Sequence, residues 1–172
     1  MSGIETFYLA LLILFLLLSA FFSSSETAFT SLQRIKVEHM VDMKVRGANR
    51  ISRMIKKPEK LLSTILLGNN LMNTAAAALA TVLAVSFWGE RGILYATIGV
   101  TALLLVFSET TPKTIAFHNA ERLSLALARP IEVLSWLFIP FVAALSWIAS
   151  GLTKMIGGTP IPRSLASPEE IR

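Results

Sequence analysis

Glu109 ends a charge-free stretch, Gly92 to Ser108, that reads GILYATIGVTALLLVFS. A carboxylate at the end of such a helix is costly in lipid and marks a functional site by default. Two other apolar stretches carry neutral oxygen-bearing residues: Ser19 and then Ser23, Ser24 and Ser25 in the first, and Gly68, Asn69, Asn70 and Asn73 in the second. The chain has no cysteine. One carboxylate among hydroxyl and amide oxygens, with no thiolate or imidazole beside it, is the donor set of a hard cation such as magnesium, calcium or sodium.

Spacing brings these residues to one depth. With a helical rise of about 1.5 Å per residue, Ser19 and Ser23 lie roughly 20–30 Å from the outer start of the first helix, and Glu109 roughly 26 Å beyond Gly92. Gly68 to Asn73 lie about 10–18 Å in from Leu61, on a helix running the other way. Ser19 and Ser23 share a face, as do Asn69 and Asn73, or Asn70 and Asn73. Backbone oxygens add to the set. In an α-helical register Pro112 cannot donate to the carbonyl of Ser108, which leaves that oxygen free near Glu109. Gly68 and the serine run are expected to expose carbonyls through a π-bulge or local unwinding. Such a site meets magnesium's demand for near-octahedral oxygen ligation.

Each residue also has a plainer reading. Serine and asparagine join transmembrane helices by interhelical hydrogen bonds. Glu109 can pair with Lys113 at i,i+4, and Glu26 can sit at the interface. Ala75 to Ala78 form a small-residue packing face, offered here as a contact between two copies of the chain. The convergence of three polar clusters at one depth favours the ion site. An enzyme is not expected: no G-x-S-x-G elbow is present, and His39 and His118 have no partner at metal-ligand spacing.

The positioning elements follow from composition. Hydrophobic residues make up 53% of the 172 positions and charged residues 16%, a membrane composition, and its apolar stretches read as the helices of an all-α integral membrane protein. Charge-poor stretches run over 7–22, 61–87, 92–108 and 133–153. The N-terminal run has no basic n-region and no small-residue cleavage site, so it reads as a retained helix. The net charge of +5 concentrates between them, in Arg34, Lys36, Lys44, Arg46, Arg50, Arg53, Lys56, Lys57 and Lys60. By the positive-inside rule this loop is cytoplasmic, which explains the charge without nucleic acid. The expected topology has the N-terminus outside, short amphipathic helices in the basic loop, a tight external turn at Gly89–Gly92 and a cytoplasmic C-terminus. The fourth stretch, preceded by Pro130 and interrupted by Pro140, either spans or lies as a kinked helix along the inner interface. Ser167, Pro168, Glu169 and Glu170 open a helix and imply a chain that continues into another domain.

The segments LSAFFSSSETAFTSL (Leu18–Leu32), LLGNNLMNT (Leu66–Thr74) and SETTPKTIA (Ser108–Ala116) together resemble the transmembrane domain of the CorC/CNNM (cyclin M) magnesium transporters, in their bacterial form. The resemblance implies three transmembrane helices, short cytoplasmic helices and a kinked juxtamembrane belt helix near 129–156. On that reading residues 1–157 form the membrane domain and 158–172 a linker. It further implies a homodimer in membrane lipid, a following cytoplasmic CBS-domain pair that binds ATP, and magnesium export coupled to sodium entry. A membrane module that senses magnesium or acts as a scaffold without moving the ion is the alternative. Carried over by motif, the magnesium ligands are Ser19, Ser23, Gly68, Asn69 or Asn70, Asn73 and Glu109. Ser24, Ser25, Glu26, Ser108, Pro112 and Lys113 are secondary or sodium-linked positions. An outside N-terminus and a cytoplasmic CBS pair require an odd number of crossings, which favours the belt reading of the fourth stretch.

Overall fold

The computed structural model describes residues 3–141, 143–144 and 147. Among the described residues every regular element is helical. Helix α1 spans Gly3–Thr30, α2 Arg34–Asp42, α3 Ala48–Ile55, α4 Pro58–Trp88, α5 Gly92–Leu103, α6 Thr111–His118 and α7 Ala120–Leu137. A 3₁₀ turn over Gly89–Arg91 links α4 to α5, and a π-helical segment over Leu104–Thr110 links α5 to α6.

Local chemistry accounts for the main boundaries. Helix α4 starts with Pro58 in its first turn, where a missing N–H is harmless, and Glu59 complements the helix dipole there. Its apolar run then continues without a breaker to Trp88. The reversal after it is tight: a Cβ on Gly92 would lie 2.2 Å from the carbonyl oxygen of Ala84, so only glycine fits. At 28 and 31 residues, α1 and α4 are about 42 and 46 Å long, against a hydrocarbon thickness of about 30 Å.

Two helical stretches are long and apolar enough to cross a membrane, Gly3–Thr30 and Pro58–His118. The second folds back on itself at residues 89–91, since Asn73 meets Glu109 across it. Helices α1 and α4 run antiparallel. Ser86 near the end of α4 donates to Glu5 near the start of α1, and Ser19, further along α1, contacts Asn69 and Asn73, earlier in α4. Large apolar side chains such as Phe7, Leu17, Leu71, Ile98 and Phe107 face outward and are exposed, as lipid contact requires.

The buried residues are layered along the helix axes. One apolar layer joins Leu12 of α1, Ala76, Ala80 and Leu83 of α4 and Val100 of α5. The alanine run thus places Ala76 in an intramolecular seam, with 0% exposure, while Ala78 remains exposed. A second apolar layer holds Ala28, Phe29, Ile65, Ala116, Ala128 and Ile131. The polar residues lie between the two. Helices α2 and α3 pack beside α7 through ion pairs from Lys36 to Glu121 and from Arg50 to Glu132, both 2.6 Å.

Helix α7 begins at Ala120 rather than near 129 and carries Pro130 in its interior. A second compact unit starts at Phe138. In it the rings of Phe138 and Phe141 meet edge to face at 6.5 Å. The rest of the fourth stretch, apart from the few described positions, and the 158–172 linker lie outside the described residues.

Candidate ion site between the helices

The polar layer is a hydrogen-bonded set drawn from three helical segments. Ser19 is fully buried on α1, and its Oγ lies 3.2 Å from Oδ1 of Asn69 and closer still to Oδ1 of Asn73. Asn73 Nδ2 in turn donates to Oε1 of Glu109 at 3.2 Å. Glu109 is half-buried in the π-helical segment. The Ser108 hydroxyl, also fully buried, donates to the carbonyl of Leu16 at 3.1 Å and pins that segment to α1.

Proton counting shows which of these groups are satisfied. Ser19 has one hydroxyl hydrogen and faces two amide oxygens. The hydroxyl donates to one of them, and the Asn69 amide, turned over, would offer an N–H to the Ser19 oxygen, so these contacts can close within the protein. Ser23 differs. It is fully buried one turn beyond Ser19, and its Oγ has no hydrogen-bond partner among the described residues. Leaving a buried hydroxyl unpaired costs about 1–3 kcal/mol. Ser25 shows the ordinary solution, donating to the Phe21 carbonyl at 2.8 Å. Among the described residues no three His, Cys, Asp or Glu side chains cluster. An ion here would be held by one carboxylate and neutral oxygens, the donor set of a hard cation.

The sequence-derived residues separate in space. Ser19, Asn69, Asn73 and Glu109 come together, with Ser23 buried on the same helix face as Ser19. Asn69 is buried beside Ser19, whereas Asn70 is exposed in the single chain. Ser24 is half-buried and Ser25 is spent on its own helix. Lys113 does not pair with Glu109. Its Nζ lies 3.4 Å from Oε2 of Glu26, across from α6 to α1. Glu109 has no ion pair within 4.0 Å among the described residues.

Two backbone expectations need correction. Helices α1 and α4 are unbroken through the serine run and Gly68, so neither unwinds to expose carbonyls. Gly68 is required for packing instead: a Cβ there would lie 2.3 Å from the ring of Phe22, itself 3% exposed. The widened turn lies at Leu104–Thr110. Its register also moves the free carbonyl. Thr111 N–H bonds to Val106 O, five residues back, so the carbonyl aimed at position 112 is that of Phe107. Pro112 has no N–H to offer it. Sequence reasoning assumed α spacing and placed the free oxygen on Ser108. The missed signal was a proline three residues after a carboxylate within a helix, where a π-bulge is one of the few ways to accommodate the lost donor.

Comparison with known proteins identifies the family of the chain. Residues 10–172 match the family model of the cyclin M transmembrane N-terminal domain. A UPF0053 protein of Haemophilus influenzae is 36% identical over 94% of this chain, and a UPF0053 inner membrane protein of Escherichia coli is 36% identical over 81%. A chloroplast protein of Arabidopsis thaliana with a DUF21 domain is also 36% identical over 81%. The chain spans 39%, 32% and 21% of the lengths of these three relatives. With a match over nearly its whole length, this membrane protein belongs to the CNNM (cyclin M) transmembrane-domain family.

Proposed function

We propose that the chain is the membrane domain of a magnesium transporter that exports magnesium against sodium entry by alternating access. The observation that carries this reading is the Ser19, Asn69, Asn73 and Glu109 set with the unpartnered Ser23 hydroxyl beside it. It offers a compact group of oxygens and a single negative charge within helices of membrane-spanning length, and magnesium needs a site of that chemistry to give up part of its hydration shell.

In this reading α1, α4 and the α5–π–α6 stretch are three crossings, the N-terminus is outside, and the basic loop with α2 and α3 is cytoplasmic. The protein acts as a homodimer, and in the full-length protein a cytoplasmic CBS pair binds ATP and regulates the membrane domain. Family membership supports these assignments. Glu26, paired with Lys113 across α1 and α6, is the carboxylate proposed for a sodium-linked role.

The test is flux. Purified protein in liposomes is loaded with a magnesium indicator, and sodium gradients of either sign are imposed. Magnesium movement should reverse when the sodium gradient reverses. Flux indifferent to sodium rejects the coupling. Magnesium binding without flux identifies a sensing or scaffold module.

A further inference from the structure

A cavity of about 410 Å³ opens where the end of α3, the turn into α4 and the last turns of α7 meet. Arg53, Lys56, Lys57 and Lys60 line it together with the apolar Met54, Leu61 and Trp136. Glu132 also reaches it, but its carboxylate is already taken by Arg50 at 2.6 Å and Arg53 at 3.6 Å. Lys56, Lys57 and Lys60 form no ion pair among the described residues. Three lysines thus line a concavity without a carboxylate partner among the described residues.

The apolar lining says which anion fits. Trp136 is 75% exposed in the same cavity, and Leu61 lies at the start of α4, where that membrane-length helix begins. A tryptophan and basic side chains at the end of such a helix mark the level of the lipid headgroups. A soluble anion needs the lysines but has no use for the apolar lining. A basic loop that only directs topology needs charge but no cavity. We propose that this cavity is a binding site for an anionic glycerophospholipid. Its phosphate sits on Lys56, Lys57 and Lys60, and the first segments of its acyl chains lie against Leu61 and Trp136. Basic pockets between helices at the cytoplasmic surface recognise anionic headgroups through the same chemistry. The proposal rests on α4 crossing the bilayer and is independent of which ion is carried.

The experiment uses purified protein in phosphatidylcholine nanodiscs containing a small fraction of phosphatidylglycerol or cardiolipin. Native mass spectrometry counts the anionic lipid that stays bound. Wild-type protein should retain it selectively. Lys56→Gln, Lys57→Gln and Lys60→Gln should each lower retention about fivefold. Trp136→Ala should lower it too, and Trp136→Phe should restore it. The paired control Lys44→Gln with Arg46→Gln changes exposed basic residues outside the cavity and should leave retention unchanged. Equal loss in that control would reduce the effect to general surface potential and overturn the site. Absence of selective retention by wild type would also overturn it. Inorganic phosphate binding with equal affinity in nanodiscs of phosphatidylcholine alone, and lost in the same lysine variants, would make the ligand a free anion and reject the lipid. Magnesium titration of the same samples keeps failure of this site distinct from failure of the transport reading.

Discussion

Asn73 donates from Nδ2 to the carboxylate of Glu109 at 3.2 Å while its own amide oxygen accepts from Ser19. One side chain on α4 therefore ties α1 to the π-helical segment. Its amide oxygen keeps a second lone pair and Glu109 keeps Oε2, so an ion could join this chain of contacts without breaking it. On the proposed reading such an ion touches all three segments at once, which would couple its binding to their relative position. Alternating access needs such a coupling, because a bound ion can shift a conformational equilibrium only by binding one state better than another.

The π-helical segment is the first place to test that coupling. Pro112 leaves the Phe107 carbonyl without a donor from position 112. Pro112→Ala supplies an N–H and should let the segment relax to α spacing, gaining a hydrogen bond worth about 1 kcal/mol. Removing the extra residue of the π turn rotates one side of the helix against the other by roughly 100°. Glu109 can then no longer meet Asn73 while Ser108 still meets Leu16. The expected outcome is a higher Tm together with magnesium affinity reduced about tenfold or more, as when a supporting contact to a metal ligand is lost. Unchanged affinity would show that the π turn does not place Glu109.

Gly68 separates packing from ligation. Its replacement by alanine drives a Cβ into the Phe22 ring, an overpacking that costs about 1–3 kcal/mol. Gly68→Ala should lower Tm, and Phe22→Leu in the same chain should recover much of the loss because a smaller side chain vacates the collision. Thermal melts of the two single variants and the double variant give the coupling directly. Additive losses would mean that the close approach of α1 and α4 is not made at this pair.

The sequence makes much of this legible, for a physical reason. In lipid a polar side chain is rare enough to carry information, so Ser19, Asn73 and Glu109 stand out, and a uniform helical rise is enough to bring them to one depth. Register is harder to read. The α-helical count gave the Ser108 carbonyl where the π register gives Phe107, because a single inserted residue is a local balance between a lost donor and a widened turn. Pairing is harder still. Lys113 is one turn from Glu109 yet bonds Glu26 on another helix, and only the packing of α6 against α1 decides between the two carboxylates. The start of α7 at Ala120 is harder to read from composition because Glu121, Arg122 and Arg129 interrupt the apolar pattern, although they occupy the exposed face of an amphipathic helix.

The absence of cysteine makes topology directly measurable. Cysteines at Lys44, in the basic loop, and at Glu90, in the turn after α4, both occupy exposed positions. With the loop inside, an impermeant thiol reagent applied to intact cells should label Glu90→Cys and spare Lys44→Cys until the membrane is opened. The reverse pattern would invert the proposed orientation, and labelling of both from outside would reject a crossing by α4.

Glu109 is the decisive residue for the proposed ion site, because among the described residues it supplies the only full negative charge bonded into the Ser19–Asn73 set. Glu109→Gln keeps the length and one oxygen but removes the charge. Even at an effective dielectric of about 20, a unit charge near an ion contributes several kcal/mol, so magnesium affinity should fall on the order of a hundredfold or more. The fold should survive, since interhelical hydrogen bonds of this kind average only about 0.6 kcal/mol and glutamine can still accept from Asn73. Asn73→Ala and Ser23→Ala each remove one neutral oxygen that water can replace, and should weaken binding less. A purely structural role predicts another order. Asn73→Ala, which breaks contacts to two segments, would then lose the most thermal stability, Ser23→Ala would gain stability by deleting an unpaired hydroxyl, and none of the three would change ion affinity. Calorimetric titration with magnesium, run beside thermal melts and size-exclusion profiles of the same preparations, distinguishes the two orders. A well-folded Glu109→Gln protein with wild-type affinity would remove this carboxylate from the site, and with it the reason to place a divalent ion between these helices.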